Sequence, residues 1–262
     1  SDFRGLSTHS LHWDSRFDDL DGKKVAVIGT GATGIQIITE VAKRDCELSV
    51  FQFKPDWTTP LGNGPLTAEE KAEYRGENAR RSFAHLRNTF GSFVHEFIPE
   101  GSLLDMTPQE QDAHLEEGYY APGFAMWLGS FQSSIMDPEA NKIVTRFVAD
   151  KIRSRVHDPK TAEKLIPQDH GFGLKRVPME SGYYESYNRP NVTLIDLQET
   201  PIERITSAGI RTAAGEQAFD IIVFATGFNA YVGPFEAINI VGREGYSLKE
   251  YWADGGKSDL GK

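Results

Sequence analysis

The stretch Lys24-Val-Ala-Val-Ile-Gly-Thr-Gly-Ala-Thr-Gly-Ile-Gln36 limits what this chain can fold into more than any other. Val25 to Ile28 is an apolar, largely β-branched run, the composition of a strand buried on both faces. Gly29, Gly31 and Gly34 follow in G-x-G-x-x-G spacing, and Ile35, Ile38, Val41 and Ala42 then recur at helical intervals. Each glycine has its own task. The first allows a tight turn, the second lets backbone approach a pyrophosphate, and the third lets helix and strand pack closely. The free N–H groups of the helix start favour an anion. The motif therefore predicts an α/β fold with a Rossmann-like, doubly wound parallel sheet. It assigns Gly29, Thr30, Gly31, Ala32, Thr33, Gly34 and Gln36 to a dinucleotide.

The next strand refines the cofactor. Glu47 to Gln52 reads as the parallel neighbour reached after the helix. An NAD site places Asp or Glu about 20 residues beyond the glycines, on the ribose 2′-hydroxyl. Gln52-Phe53-Lys54 stands there instead, with a cation and no carboxylate. That favours a 2′-phosphate, hence NADP(H), with Lys54 as a contact. The alternative is that Lys54 is only a solvated surface lysine.

Composition excludes several classes. A net charge of −10 over 262 residues, with no basic cluster to offset it, argues against a nucleic-acid binder. No run of about 18 apolar residues exists, so no membrane span is expected. The single Cys46 excludes internal disulfides and fits a reducing, cytoplasmic setting. It reads as a buried, inert thiol. His9 and His12 have no further ligand at useful spacing, so no metal site is expected.

Upstream of the first strand lies Phe3-x-Gly5-x-x-x-His9-x-x-x-Trp13-Asp14. Taken by itself it is a loop anchored by aromatics, with His9 satisfied by a backbone partner. Together with Gly29-x-Gly31-x-x-Gly34 immediately after it, it resembles the F-x-G-x-x-x-H-x-x-x-W-[P/D] fingerprint of the Baeyer–Villiger monooxygenases. The N- and S-oxygenating flavin monooxygenases are similar but usually carry Tyr or Phe where Trp13 stands.

The middle of the chain has a different texture. Pro60, Gly62, Gly64 and Pro65 break the chain, and Thr67-Ala-Glu-Glu70 reads as a helix N-cap with first-turn acids. Helices are expected over about 67–98, 107–116 and 137–156, the last burying Ile143, Phe147, Ile152 and Val156. The runs Arg75–Arg81 and Lys151–Arg155 read as solvated faces. Phe90, Phe93, Phe97, Trp127 and Phe131 read as core or substrate-pocket wall.

Phe172-Gly-Leu-Lys175-Arg176-Val-Pro178 sets two cations on a Gly/Pro-bounded loop. Composition leaves two readings open: an anion site, or a surface pair facing acids such as Glu180. The continuation Gly182-Tyr-Tyr-Glu-Ser-Tyr-Asn-Arg-Pro-Asn191-Val resembles the segment that follows the active-site Lys-Arg pair of the same family. Asn191-Val-Thr193 matches a glycosylation acceptor, expected to stay bare. Val192 to Asp196 reads as a strand, and Ile202 to Thr212 as a hairpin turning at Ala208-Gly209. Asp220-Ile-Ile-Val-Phe-Ala-Thr-Gly227 resembles the D-x-x-x-x-A-T-G segment of two-dinucleotide flavoproteins. Trp252 reads as a packing anchor.

The resemblance implies an NADPH- and FAD-dependent enzyme that converts ketones to esters or lactones with O2, through a C4a-peroxyflavin. By it, Arg176 is the catalytic arginine and Lys175 contacts the NADP 2′-phosphate or ribose. Relatives often carry Arg-Thr at Phe53-Lys54, so Lys54 would replace the arginine charge one position later. Only one Gly-rich motif is present, and the chain stops at Gly261-Lys262 where the family returns to its FAD domain. The expected organisation is a fingerprint linker over 1–22 and an NADP-binding domain over 23–228 with a helical insertion over about 65–168. A return segment over 229–262 would lead toward the FAD domain of the same full-length enzyme. Two other readings remain: an N- or S-oxygenating flavin monooxygenase, and a non-catalytic NADP-binding module.

Overall fold

The computed structural model describes residues 2–230 and 232–257, apart from the side chains of Glu73 and Phe90. The expectations for Phe90 and for Gly261-Lys262 lie outside that description.

Five strands form one wholly parallel sheet in the order β1 (Leu6–His9), β10 (Ile221–Phe224), β2 (Lys24–Ile28), β3 (Glu47–Gln52), β6 (Val192–Asp196). The path runs outward from β2 through helix α1 (Ala32–Val41) to β3 and then β6. It then returns to the other side of β2 as β10. The strand order therefore reverses at β2, whose carboxyl end carries the Gly-rich turn. Open α/β sheets bind ligands at such reversal points.

The period-2 alternation of strands sends β2 residues to two different cores. Val25 and Val27 pack against α1 and the helical layer, whereas Ala26 and Ile28 face a second cluster with Phe51, Ile210, Phe219 and Ile222. An antiparallel meander, β7 (Ile202–Ile205), β8 (Gly209–Thr212) and β9 (Gly215–Ala218), supplies that second cover. The expected hairpin is thus three-stranded. Gly209 is not in the turn but opens β8, because a Cβ there would lie 1.9 Å from the Gln217 carbonyl oxygen of the paired strand.

β1 was not anticipated. Leu-Ser-Thr-His is too polar and short to signal a strand, and its order comes from pairing Leu6 with Ile221 through His9 with Phe224. His9 Nδ1 accepts from the Leu11 N–H at 3.2 Å, a backbone partner as expected. Asp220 fixes the central register, its carboxylate accepting the Lys24 N–H at 2.8 Å.

Between β3 and β6 the chain forms α2 (Ala68–Glu73), α3 (Gly76–Leu86), α4 (Pro108–Tyr120), α5 (Ala125–Leu128), α6 (Ser133–Met136), α7 (Pro138–Arg155), α8 (Pro159–Lys164) and α9 (Tyr183–Ser186). Two-residue strands β4 (Thr59–Pro60) and β5 (Met179–Glu180) pair in parallel across its base. The single helix expected over 67–98 is broken. Gly76 at φ +62° separates α2 from α3, and helix gives way to a short 3-10 turn at 90–92 around Gly91, also at +62°. The Thr67–Glu70 capping box does form. α4 runs further than expected, to Tyr120.

α7 matches its expected span but rotates its buried stripe. Ala140, Val144, Val148, Ala149 and Ile152 are buried, while Ile143 and Phe147 are only half-buried. Lys151 and Arg155 are not on a solvated face, each side chain being 18 % exposed. Lys151 pairs with Glu116 and lies among the rings of Tyr119, Tyr120 and Phe147. Arg155 is a hub. It meets the fully buried Glu180 carboxylate at 2.8 Å, donates twice to Glu185 at 2.6 and 2.8 Å, and donates to the Tyr119 hydroxyl at 2.9 Å. Glu180 also accepts the Gly182 and Tyr183 N–H groups. Among the described residues Lys175 and Arg176 form no ion pair with it; Lys175 pairs with Asp169 instead.

Cys46 is buried, and burial pushes its thiol pKa up. Asn191 donates to the carbonyls of Ala42, Arg44 and Cys46, so its amide ties the end of α1 to the start of β3. Residues 226–257 form a separate small unit with α10 (Gly233–Ala237) and α11 (Leu248–Tyr251). Within it Trp252 stacks edge-on to Phe235 at 5.4 Å, the packing role expected of it. No described helix is long and apolar enough to cross a membrane.

Arg155→Met leaves the Glu180 charge buried without its cation. We expect a loss of about 3–5 kcal/mol in denaturant-induced unfolding of the intact protein, the usual cost of breaking a buried pair. A loss below about 1 kcal/mol would place Arg155 with ordinary surface cations.

Candidate dinucleotide site

The Gly-rich turn is built as the motif requires. Gly29 adopts φ +107°, a backbone region closed to most L side chains. Gly31 caps α1 with no side-chain hydrogen bond, no acid occupies the first turn, and a Cβ at Gly31 would meet nothing within 4 Å. Gly34 is the opposite case, since a Cβ there would lie 2.2 Å from the Gly29 carbonyl oxygen. The first-turn N–H groups of a helix have no intrahelical acceptor. The turn thus offers uncapped donors, positive dipole and open space at one point. Ala32 and Thr33 stand in this first turn, so both fall within it.

Two bonds tie the turn to the end of β3. The Gly29 N–H donates to the Phe51 carbonyl at 2.9 Å, and the buried Thr30 hydroxyl donates to the Lys54 carbonyl at 3.0 Å. Lys54 is thereby held beside the glycines. Its ammonium donates to Asp169 Oδ2 at 2.9 Å, and Lys175 Nζ lies 3.7 Å from the same oxygen. The two lysines singled out in the sequence, 121 residues apart, so converge on one carboxylate. Gln36 is not brought there. It faces outward from α1 and lines a shallow depression with Trp13, Phe17 and Arg44.

Asp169 and His170 carried no sequence signal, because an isolated Asp-His pair has no spacing to recognise. Asp169 Oδ1 is 2.6 Å from His170 Nδ1. Hydrogen bonds from Lys54 and His170, with the nearby Lys175 charge, hold the Asp169 carboxyl well below the usual carboxylate range. The Asp169 carboxylate is therefore ionised at neutral pH. The His170 side chain is only 9 % exposed, and its carbonyl accepts from Trp57 Nε1 at 3.0 Å. Asp56 lies near the same group, its carboxyl raised by burial. A surface cleft of about 1050 Å³ opens beside this cluster, lined by Gln52, Phe53, Lys54, Asp169, Asp196 and Gln198 among others. It lies at the carboxyl ends of β3 and β6, the place an adenosine end would take in such a sheet.

The loop bearing Lys175 and Arg176 is fixed from below. The Phe172 N–H donates to Thr145 Oγ1 at 2.9 Å, and its carbonyl accepts from Asn141 Nδ2 at 2.9 Å. Trp127 Nε1 donates to the Gly173 carbonyl at 3.1 Å, with Gly173 at φ +78°. Trp127 is therefore a support of the cation loop. Beyond it Val177 and Pro178 are buried, whereas Arg176 is exposed and makes no hydrogen bond or ion pair among the described residues. Trp13 is half-exposed, its Nε1 donating to Asp18 at 3.3 Å and its ring 5.6 Å from Phe17. No cluster of three or more His, Cys, Asp or Glu able to hold a metal occurs among the described residues.

No family model matches the chain. Individual proteins do. The chain is 44 % identical over 265 residues to the 2-oxo-Delta(3)-4,5,5-trimethylcyclopentenylacetyl-CoA monooxygenase of Pseudomonas putida, covering 99 % of this chain and 48 % of that protein. It is 36 % identical over 266 residues to a Baeyer–Villiger monooxygenase of Pseudooceanicola batsensis, covering 99 % and 47 %. The crystal structure of OTEMO in complex with FAD and NADP superposes with a TM-score of 0.92 at 44 % identity, over 99 % of this chain and 50 % of that one. The chain spans about half the length of the relatives it matches. That likeness runs through the whole of this chain, its parallel sheet and its glycine turn included, and the proteins that share it at 34–44 % identity include Baeyer–Villiger monooxygenases.

Proposed function

We propose that this chain is the NADP(H)-binding part of an NADPH- and FAD-dependent monooxygenase that converts ketones to esters or lactones. The observation that carries the cofactor assignment is the convergence of Lys54 and Lys175 at one oxygen, beside a glycine turn tied to Lys54 by Thr30. The donor set fits a phosphorylated dinucleotide. Uncapped first-turn N–H groups over Gly31 would take the pyrophosphate, and the two ammoniums would take the 2′-phosphate. The reaction consumes ketone, O2, NADPH and a proton, and yields ester, water and NADP+. FAD, held largely by a further domain of the same enzyme, supplies the oxygen-activating chemistry when bound.

Arg176 supports the second half of the proposal. Its guanidinium stays charged at any working pH and can donate two parallel hydrogen bonds. The loop that bears it is anchored by Asn141, Thr145 and Trp127. It is thus a permanent cation carried on anchored backbone, suited to negative charge developing on the ketone oxygen during insertion.

Two outcomes test these assignments. Lys54→Ala should weaken NADPH binding about tenfold or more, the scale of one hydrogen bond to a charged group. NADH binding should hardly change. Equal losses in a fluorescence titration would remove Lys54 from the 2′-phosphate contact. Arg176→Ala should abolish ester formation, followed by gas chromatography, while flavin reduction by NADPH continues at a lower rate. An undiminished ester yield would refute the role given to Arg176.

A further inference from the structure

We propose that Asp169 is a specificity-determining residue: a built-in counter-anion that competes with the 2′-phosphate and so limits the preference for NADPH over NADH. The inference rests on the nucleotide reading above. Asp169 Oδ2 occupies both ammoniums on which that reading depends, 2.9 Å from Lys54 Nζ and 3.7 Å from Lys175 Nζ. Asp169 is 40 % exposed, yet both of its carboxylate oxygens are engaged. Its other oxygen is held at 2.6 Å by His170, whose side chain is nine-tenths buried and whose carbonyl is fixed by Trp57. A 2′-phosphate entering the cleft therefore shares its cations with a negative charge already paired to them. Like charges brought together at a binding site oppose association.

The same carboxylate treats NADH differently. An unphosphorylated ribose presents a 2′-hydroxyl, which is a donor, and Asp169 is an acceptor facing the cleft. NAD sites meet that hydroxyl with an acid at the end of the second strand. Here that strand end carries Lys54, and the acid arrives from the loop before Lys175. The cluster thus holds one attractive element for each nucleotide, and Asp169 is also the repulsive element toward the phosphorylated one.

The test is calorimetric titration of the intact protein with NADP+ and with NAD+, at low ionic strength, for the wild type, Asp169→Asn and Asp169→Ser. Asn keeps the shape and an acceptor for His170 while removing the charge, and Ser removes both. NAD+ keeps the pyrophosphate contacts at Gly31 and can lose only its hydroxyl bond to Asp169, so a loss of NAD+ binding larger than one hydrogen bond reports general damage to the site. We expect both variants to bind NADP+ at least about fivefold more tightly, with NAD+ unchanged or weaker. NADP+ binding unchanged or weakened in both variants would overturn the proposal and make Asp169 an organiser of the lysines. A wild type that binds NADP+ well but variants that gain nothing would overturn this inference alone. A wild type that binds neither nucleotide would overturn the nucleotide reading and this proposal together.

Discussion

The contact between Gly34 and the carbonyl of Gly29 governs where everything else can be. Any side chain at Gly34 would sit 2.2 Å from that oxygen, so α1 can begin directly beside the end of β2 only because nothing projects there. Ala225, just past β10, lies on the same side, its Cβ 3.6 Å from the position a Gly34 Cβ would take, an ordinary packing distance. Close packing brings the uncapped helix start to the point where the strand order reverses. A sheet with helix and meander on its two faces then needs only small residues at this corner. The large buried side chains, Trp57, Tyr119, Tyr184 and Phe17 among them, lie elsewhere.

Electrostatics follow the same economy. The chain is acidic overall, and its cations do two kinds of work. Arg155 is consumed by structure, bridging Glu180, Glu185 and Tyr119 where α7, α9 and β5 meet. Lys54, Lys175 and Arg176 stay near the surface on backbone that is itself fixed. That division leaves Arg176 without an ion pair among the described residues and Lys54 and Lys175 paired only to the half-exposed Asp169. The insertion between β3 and β6 is part of it, since Asn141, Thr145 and Trp127 from that insertion hold the loop that carries Lys175 and Arg176.

Much of this was legible in the sequence, for physical reasons that differ by element. β2, β3, β6 and β10 are strongly apolar or β-branched runs, and their bounds were read closely. The glycine turn was legible because each glycine answers a separate steric need. β1 was not, because four polar-leaning residues become a strand only through pairing with β10. The broken helix at Gly76 and the third meander strand were missed because local periodicity does not report breaks set by tertiary context. Lys54 and Lys175 were named from charge and position, but their meeting point was invisible. Asp169 and His170 lie far from β3 in sequence, and only the fold places them beside it. Arg155 was misread as solvated because its acid partners lie 25 and 30 residues further along the chain.

The central claim is that a phosphorylated dinucleotide spans the turn at Gly31 and the lysine pair at Asp169. A crystal structure of the intact enzyme with NADP+ tests it most directly. The account predicts pyrophosphate oxygens at hydrogen-bond distance, about 3 Å, from the first-turn N–H groups of α1. It also predicts 2′-phosphate oxygens at that distance from both Lys54 Nζ and Lys175 Nζ. A pyrophosphate bound away from Gly31, or a 2′-phosphate pointing into solvent, would contradict it.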